Sequence, residues 1–309
     1  MNAAEEEVTA IPAVTPSSPS GAVHTQQRRV GQYIIGKQLG AGSFGTVHEG
    51  VHVMTAERVA VKVLVRAKTS DAEIRNELDT MRRCQGHTNI VVLKDFFQTE
   101  THAYIVMEHV ARGELFSQLV EHAEANANMC GFEEDVAREI FRQVLDGIQH
   151  CHSNGIHHGD LKLDNLLVSA DNTIKIADFG LARCCTSQDL CSGGGGTPEY
   201  RAPEVSRRMS HSQMYNGKTA DVWAAGVVLF VLCGYKYPSN RAVNFAPLPC
   251  MSKDLADLLR GMFVSHPLGR LNLDQIRSHR WMQGNASASS TSHLSSRIGF
   301  AQEVADQHA

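Results

Sequence analysis

No excess of basic residues marks this 309-residue sequence: 29 Lys and Arg face 33 Asp and Glu, for a net charge of −4. Nucleic acid and anionic membranes select clustered positive charge, so neither is an expected partner. A membrane-length apolar run is also missing. The longest, Val222 to Tyr235, is too short to cross a bilayer and is expected to form a buried helix. The first residues carry Glu5, Glu6 and Glu7 and no apolar core segment. No secretory signal is therefore expected, and the location is expected to be cytoplasmic or nuclear. The eight cysteines show no paired metal-ligand spacing and are expected to be reduced thiols. There is no internal repeat.

What is present is ordinary globular composition, 42% hydrophobic and 20% charged, enough for one large domain or two lobes. Residues 1–30 hold Pro12, Pro16 and Pro19 among Ser, Thr and Ala, lack apolar periodicity and are expected to be disordered. Residues 283–309 turn Ser/Ala-rich and are expected to be a flexible tail, with at most one helical turn near Ile298 to Val304. Between them, 33–282 is expected to be one folded domain. Its first part reads as strands at Tyr33–Leu39, Thr46–Val53, Arg58–Leu64, Val91–Gln98 and Ala103–Glu108. One helix interrupts them. Ser70 and Glu73 make a capping-box pattern, and Ile74, Leu78 and Met81 follow at helical spacing. From Glu114 onward helical patterns dominate. The fold class expected is α+β and bilobal, a small β-rich lobe over 33–107 and a larger helical lobe over 112–282, with a ligand cleft at the connection.

Four segments carry chemistry. Gly40-Ala41-Gly42-Ser43-Phe44-Gly45 lies between two strands, where glycines let a hairpin pass close over phosphates. A tight hairpin needing positive φ would explain the glycines equally well. Lys62 stands inside the apolar run Val59-Ala60-Val61-Lys62-Val63, where a buried ammonium needs an anionic partner. Glu77 borders the buried face of the following helix, and Glu73 is the competitor. Asp160 and Asn165 stand in Gly159-Asp160-Leu161-Lys162-Leu163-Asp164-Asn165, and Asp178 in Ala177-Asp178-Phe179-Gly180 after an apolar strand. Either acid alone would read as a turn former.

Taken in order, these segments resemble the parts of a eukaryotic protein kinase of the Ser/Thr type, near the calcium/calmodulin-dependent group. The resemblance implies transfer of the γ-phosphate of ATP to protein Ser/Thr hydroxyls, with Mg2+ as cofactor. It implies Asp160 as catalytic base, Lys162 against the transferred phosphate, Lys62 on the α- and β-phosphates, and Asn165 and Asp178 as metal ligands. Leu39, Gly40, Ala41, Gly42, Ser43, Phe44, Gly45 and Val47 would cover the nucleotide with Ala60 and Leu167. Met107, Glu108 and Val110 would border the purine, Glu77 would hold Lys62, and Glu114 would touch ribose and a substrate Arg. The partners implied are ATP and protein substrates with basic residues before the acceptor. Gly196-Thr197-Pro198-Glu199-Tyr200-Arg201-Ala202-Pro203-Glu204 matches the Ser/Thr form of the peptide platform, with Glu204 implied to pair with Arg270 and Asp221 to tether the catalytic loop.

Three departures stand out. The family's His-Arg-Asp is His158-Gly159-Asp160, so the side chain that clamps a phosphorylated activation segment is missing. Activity is therefore expected not to require such phosphorylation; the alternative is a pseudokinase acting as a scaffold. Cys184, Cys185 and Cys191 lie in that segment. A flexible loop with incidental thiols is the plainer reading, and a disulfide is possible for Cys185 with Cys191 but poor for adjacent Cys184 and Cys185. Finally, 239–251 is short for a kinase, and no EF-hand or calmodulin-binding helix follows Met282.

Overall fold

The computed structural model describes residues 28–42, 45–125, 130–206, 214–238 and 245–284. Ser43, Phe44, most of the N-terminal stretch, residues 239–244 and the turn expected near Ile298 lie outside the described residues. Two compact units are present: a small one holding 28–82 and 91–109, and a large one holding 83–90 and 110–284.

The small unit is a six-stranded antiparallel sheet in the order β1-β2-β3-β4-β6-β5. Its strands are β1 (Arg28–Val30), β2 (Tyr33–Gly42), β3 (Gly45–His52), β4 (Arg58–Val65), β5 (Leu93–Gln98) and β6 (His102–Glu108). Side chains on a strand alternate between faces, and β4 uses both. Val59 and Val61 point into a core with Val30, Tyr33, Ile35, Tyr104 and Val106. There the rings of Phe97 and Tyr104 stack with centroids 4.8 Å apart, and Tyr33 stacks on Phe97 at 5.9 Å. Each such pair adds about 0.5–1.5 kcal/mol beyond its burial. Ala60 and Lys62 point the other way, and the register sets Lys62 opposite Val47 and Ile105, and Ala60 opposite Met107. Helix α1 (Asp71–Arg83) starts with the expected box: Ser70 N donates to Glu73 Oε2 at 2.8 Å, and Glu73 N to Ser70 Oγ at 3.2 Å.

Two expectations about this region need correction. Arg28–Val30 falls within the stretch expected to be disordered, yet it pairs with β2. A two-residue turn at Gly31 and Gln32, with Gly31 at φ +57, folds the strand back, and Val30 is buried. Residues 83–90, expected in the first lobe, cluster with the large unit. Asn89 explains this: its Nδ2 donates to Ile174 O at 2.8 Å and its carbonyl accepts from Ile176 N at 2.9 Å.

The large unit is mostly helical. Its helices are α2 (Leu115–Ala125), α3 (Glu134–Ser153), α4 (Pro203–Ser206), α5 (Gly217–Gly234), α6 (Lys253–Met262), α7 (Leu273–Ser278) and α8 (Arg280–Gln283). Three short antiparallel pairs complete it: β7 (Ile156–His157) with β10 (Arg183–Cys184), β8 (Leu166–Val168) with β9 (Ile174–Ile176), and β11 (Leu190–Cys191) with β12 (Tyr215–Asn216). Helix α3 is amphipathic, presenting Val136, Ile140, Phe141, Val144 and Ile148 inward. Helix α5 holds the apolar run up to its C-cap Tyr235 and, at 18 residues, is long and apolar enough to span a membrane, but 83% of it is buried within the protein. It is the core helix of the unit, with each fully buried Leu, Val or Phe worth roughly 1.5–3 kcal/mol.

Candidate active site

In the small unit, Lys62 and Glu77 form a buried ion pair, Nζ to Oε1 2.5 Å. This resolves the choice between Glu77 and Glu73, whose carboxylate is spent on the Ser70 cap. A buried ammonium and carboxylate tolerate each other only at such contact. Val47, Ala60 and Met107 share the Lys62 face of the sheet through the register of β3, β4 and β6. Gly40 and Gly42 meet nothing within 4 Å of a built Cβ, whereas Gly45 would drive one to 2.0 Å from Val63 O. Close packing therefore requires the glycine at 45. Leu39 is exposed, and Ala41 lies on β2 opposite Thr46. Glu108 N donates to Val92 O at 2.9 Å, and its side chain accepts from Val92 N.

In the large unit, the loop after β7 presents Asp160. Its Oδ1 accepts from Thr197 N at 2.7 Å and Thr197 Oγ1 at 2.9 Å. Its Oδ2 lies 3.5 Å from Lys162 Nζ, with the Asn165 Nδ2 donor at 3.4 Å. Asn165 also donates to Asp160 O at 2.8 Å, which aims its own oxygen away from Asp160. The imidazole of His158 braces the loop. Its Nδ1 accepts from Asp160 N at 3.3 Å, so the proton is on Nε2, which donates to Ala177 O at 3.0 Å. That second bond ties this loop to the residue before Asp178. Asp178 is exposed and held in the left-handed region at φ 60, ψ 78, a conformation costing a non-glycine residue roughly 1–3 kcal/mol. Buried Ile176 and Phe179 anchor it on both sides.

Asp221, near the start of α5, holds the loop from beneath. It accepts from His158 N at 2.9 Å and Gly159 N at 3.0 Å, and from His152 Nε2 at 2.9 Å. Burial pushes its pKa up, but the His152 bond and the His157 ring nitrogen 3.7 Å away outweigh burial and hold the carboxyl well below the usual carboxylate range. Gly159 itself sits at φ +77, and a Cβ there would stand 2.8 Å from Leu181 O. Further on, Arg270 is fully buried and bidentate to Glu204 at 2.7 and 2.9 Å. It also reaches Thr219 O and Val264 O and lies over the Trp223 ring. Glu114 bridges Leu167 through the backbone; burial first and Asp164 second push its pKa up, while Lys162 opposes them. Val110 is buried and its carbonyl accepts from Gly113 N.

Residues 33–282 match the family described as Protein kinase domain. The chain belongs to that family. It is 35% identical over 277 residues to CBL-interacting serine/threonine-protein kinase 26 of Arabidopsis thaliana, a match covering 84% of this chain and 60% of the relative. The chain thus spans less than two thirds of that relative's length. Membership implies ATP as the nucleotide. The strand-rich first part and helical remainder of this kinase domain agree with the fold expected from its sequence. Within the large unit, Asp160, Lys162 and Asn165 come together; within the small unit, Lys62, Glu77, Val47, Ala60 and Met107 do. Sequence reasoning overlooked His152, His157 and the bracing role of His158. Only His158 carried a local signal, its place two residues before Asp160.

Proposed function

We propose that the chain is an ATP-dependent protein Ser/Thr kinase, and that Asp160 accepts the proton of the attacking hydroxyl. The observation that carries this is the Asp160 carboxylate itself, one oxygen fixed by two Thr197 bonds and the other beside Lys162 and Asn165. A base held this way needs little reorganisation when substrate arrives. Lys162 neutralises charge on the transferred phosphoryl group, and Lys62, positioned by Glu77, holds the α- and β-phosphates.

The donor set suits Mg2+. Asn165 and Asp178 offer hard oxygens, and among the described residues there is no cluster of three or more His, Cys, Asp or Glu that would form an all-protein metal cage. Magnesium prefers such sparse sites, sharing its shell with substrate phosphates and water. When bound, it would neutralise phosphate charge. Glu114, with Asp164 beside it, is the acidic group suited to a substrate with basic residues before the acceptor.

The test is γ-phosphate transfer to a generic basic protein with Mg2+ and ATP, followed by phosphoamino-acid analysis. Asp160→Asn should lower kcat by about 10²–10⁴-fold while the protein stays folded. Equal activity in the variant, or phosphotyrosine as product, would overturn the reading. A wild type inactive with every substrate would favour the scaffold alternative that Gly159 raises.

A further inference from the structure

The activation segment folds back on itself at 186–189. Thr186 N donates to Leu190 O at 2.9 Å, Asp189 N donates to Thr186 O at 2.9 Å, and Asp189 turns the chain at φ 59. The first pair beyond that turn is Cys185 and Cys191. Both ends are anchored: Cys185 N donates to Gly155 O at 2.8 Å, and Cys191 pairs with Tyr215 across β11 and β12. Opposed residues of this kind, outside the hydrogen-bonded rung, have Cα atoms roughly 4.5 Å apart, within the disulfide range. The Cys191 thiol points back into this hairpin, its Sγ 4.0 Å from Asp189 O. Exposure differs between them. Cys185 is partly exposed, whereas Cys191 is 1% exposed, packed where a Cβ on Gly217 would come within 2.8 Å of its sulfur.

We propose that Cys185 and Cys191 form a peroxide-reactive dithiol, with Cys185 the attacking sulfur and Cys191 the resolving one. The Cys185 thiolate attacks one peroxide oxygen; the S–O bond forms, the O–O bond breaks, and water leaves. The sulfur loses two electrons to the oxygens and becomes a sulfenic acid. Cys191 sulfur then attacks Cys185 sulfur; the S–S bond forms, the S–O bond breaks, and a second water departs with the Cys191 proton. Two thiols and one peroxide thus yield one disulfide and two waters. The neighbouring Cys191 thiol lowers the Cys185 pKa against burial, and the nearby charge of His157 lowers it further, which favours Cys185 as the attacker. The assignment is independent of phosphoryl transfer.

A built-in control exists. Cys84 and Cys151 form a second pair, each shifting the other's pKa, but they are 0% and 1% exposed. Reduced full-length chain should be exposed to hydrogen peroxide, alkylated, and cleaved with trypsin and a protease cutting before Asp189. The expected product joins the Cys185 fragment to the Cys191 fragment, in wild type and in Cys184→Ser alike. It should form at least ~10-fold faster than any Cys84–Cys151 link, because reactivity follows exposure and thiolate character. In Cys191→Ser, Cys185 should be trapped as a sulfenic acid by dimedone, with an unchanged melting curve to show that the variant folds. Full alkylation of both thiols after peroxide, a link through Cys184, or no dimedone adduct in folded Cys191→Ser would each overturn the proposal.

Discussion

Glu114 shows how one residue can be set for function at the expense of stability. Its carboxylate is half-buried near Asp164, and the raised pKa means the folded state prefers it neutral. Above its ordinary value of 4.5 the charge therefore works against folding; below that value both states are protonated and the effect disappears. Glu114→Gln should raise the melting temperature at pH 7.5, and its advantage should shrink as pH falls toward 4.5. The same variant should lose preference for peptides with Arg before the acceptor. Thermal melts across pH and a positional peptide array check both halves; an advantage that persists at low pH would point to packing rather than charge. Lys62 and Glu77 are a contrasting case, because their 2.5 Å contact leaves neither charge buried alone.

At the scale of elements, the Arg270–Glu204 pair joins the segment before α7 to α4. The guanidinium donates to Glu204, Thr219 and Val264. Arg270→Leu would leave the Glu204 carboxylate without its cation, and breaking such a pair costs about 3–5 kcal/mol. Both tryptophans, Trp223 and Trp281, lie in the large unit, so fluorescence during urea unfolding reports this unit directly. A loss below ~1 kcal/mol would rank the pair with surface ion pairs instead. The elements themselves were largely legible: the apolar run of β4, the Ser70–Glu73 cap and the apolar run of α5 each act over a few residues. Strand β1 was missed because three residues between polar neighbours carry almost no periodicity. Only the turn at Gly31 and the burial of Val30 reveal it.

At the scale of the molecule, the activation segment is held by contacts that require no phosphate. Thr197 binds Asp160, Arg201 binds Gly196 O, Lys218 Nζ reaches Asp189 at 2.7 Å, and β11 pairs with β12. At position 159, where the family's clamping arginine would stand, glycine offers no side chain to a phosphate. Phosphatase treatment and alanine at Thr186, Ser187 and Ser192 should each leave kinase activity within about twofold, since order here does not depend on Arg–phosphate pairs. Loss of activity under both treatments would refute this. Thr197 is excluded from the substitutions because its hydroxyl supports Asp160 directly.

The residues by themselves singled out the groups proposed to carry the chemistry, since Lys62, Asp160, Asn165 and Asp178 each stand in a short pattern readable without coordinates. Tertiary structure alone decided what holds them. His152 and Asp221 meet across 69 positions, Asp160 and Thr197 across 37, and Arg270 and Glu204 across 66. It also returned residues 83–90 to the large unit and set Cys185 against Cys191. The physical reason is range: propensity, capping and periodicity act over one or two turns of chain. A hydrogen bond between distant residues exists only once burial has fixed the path that brings them together.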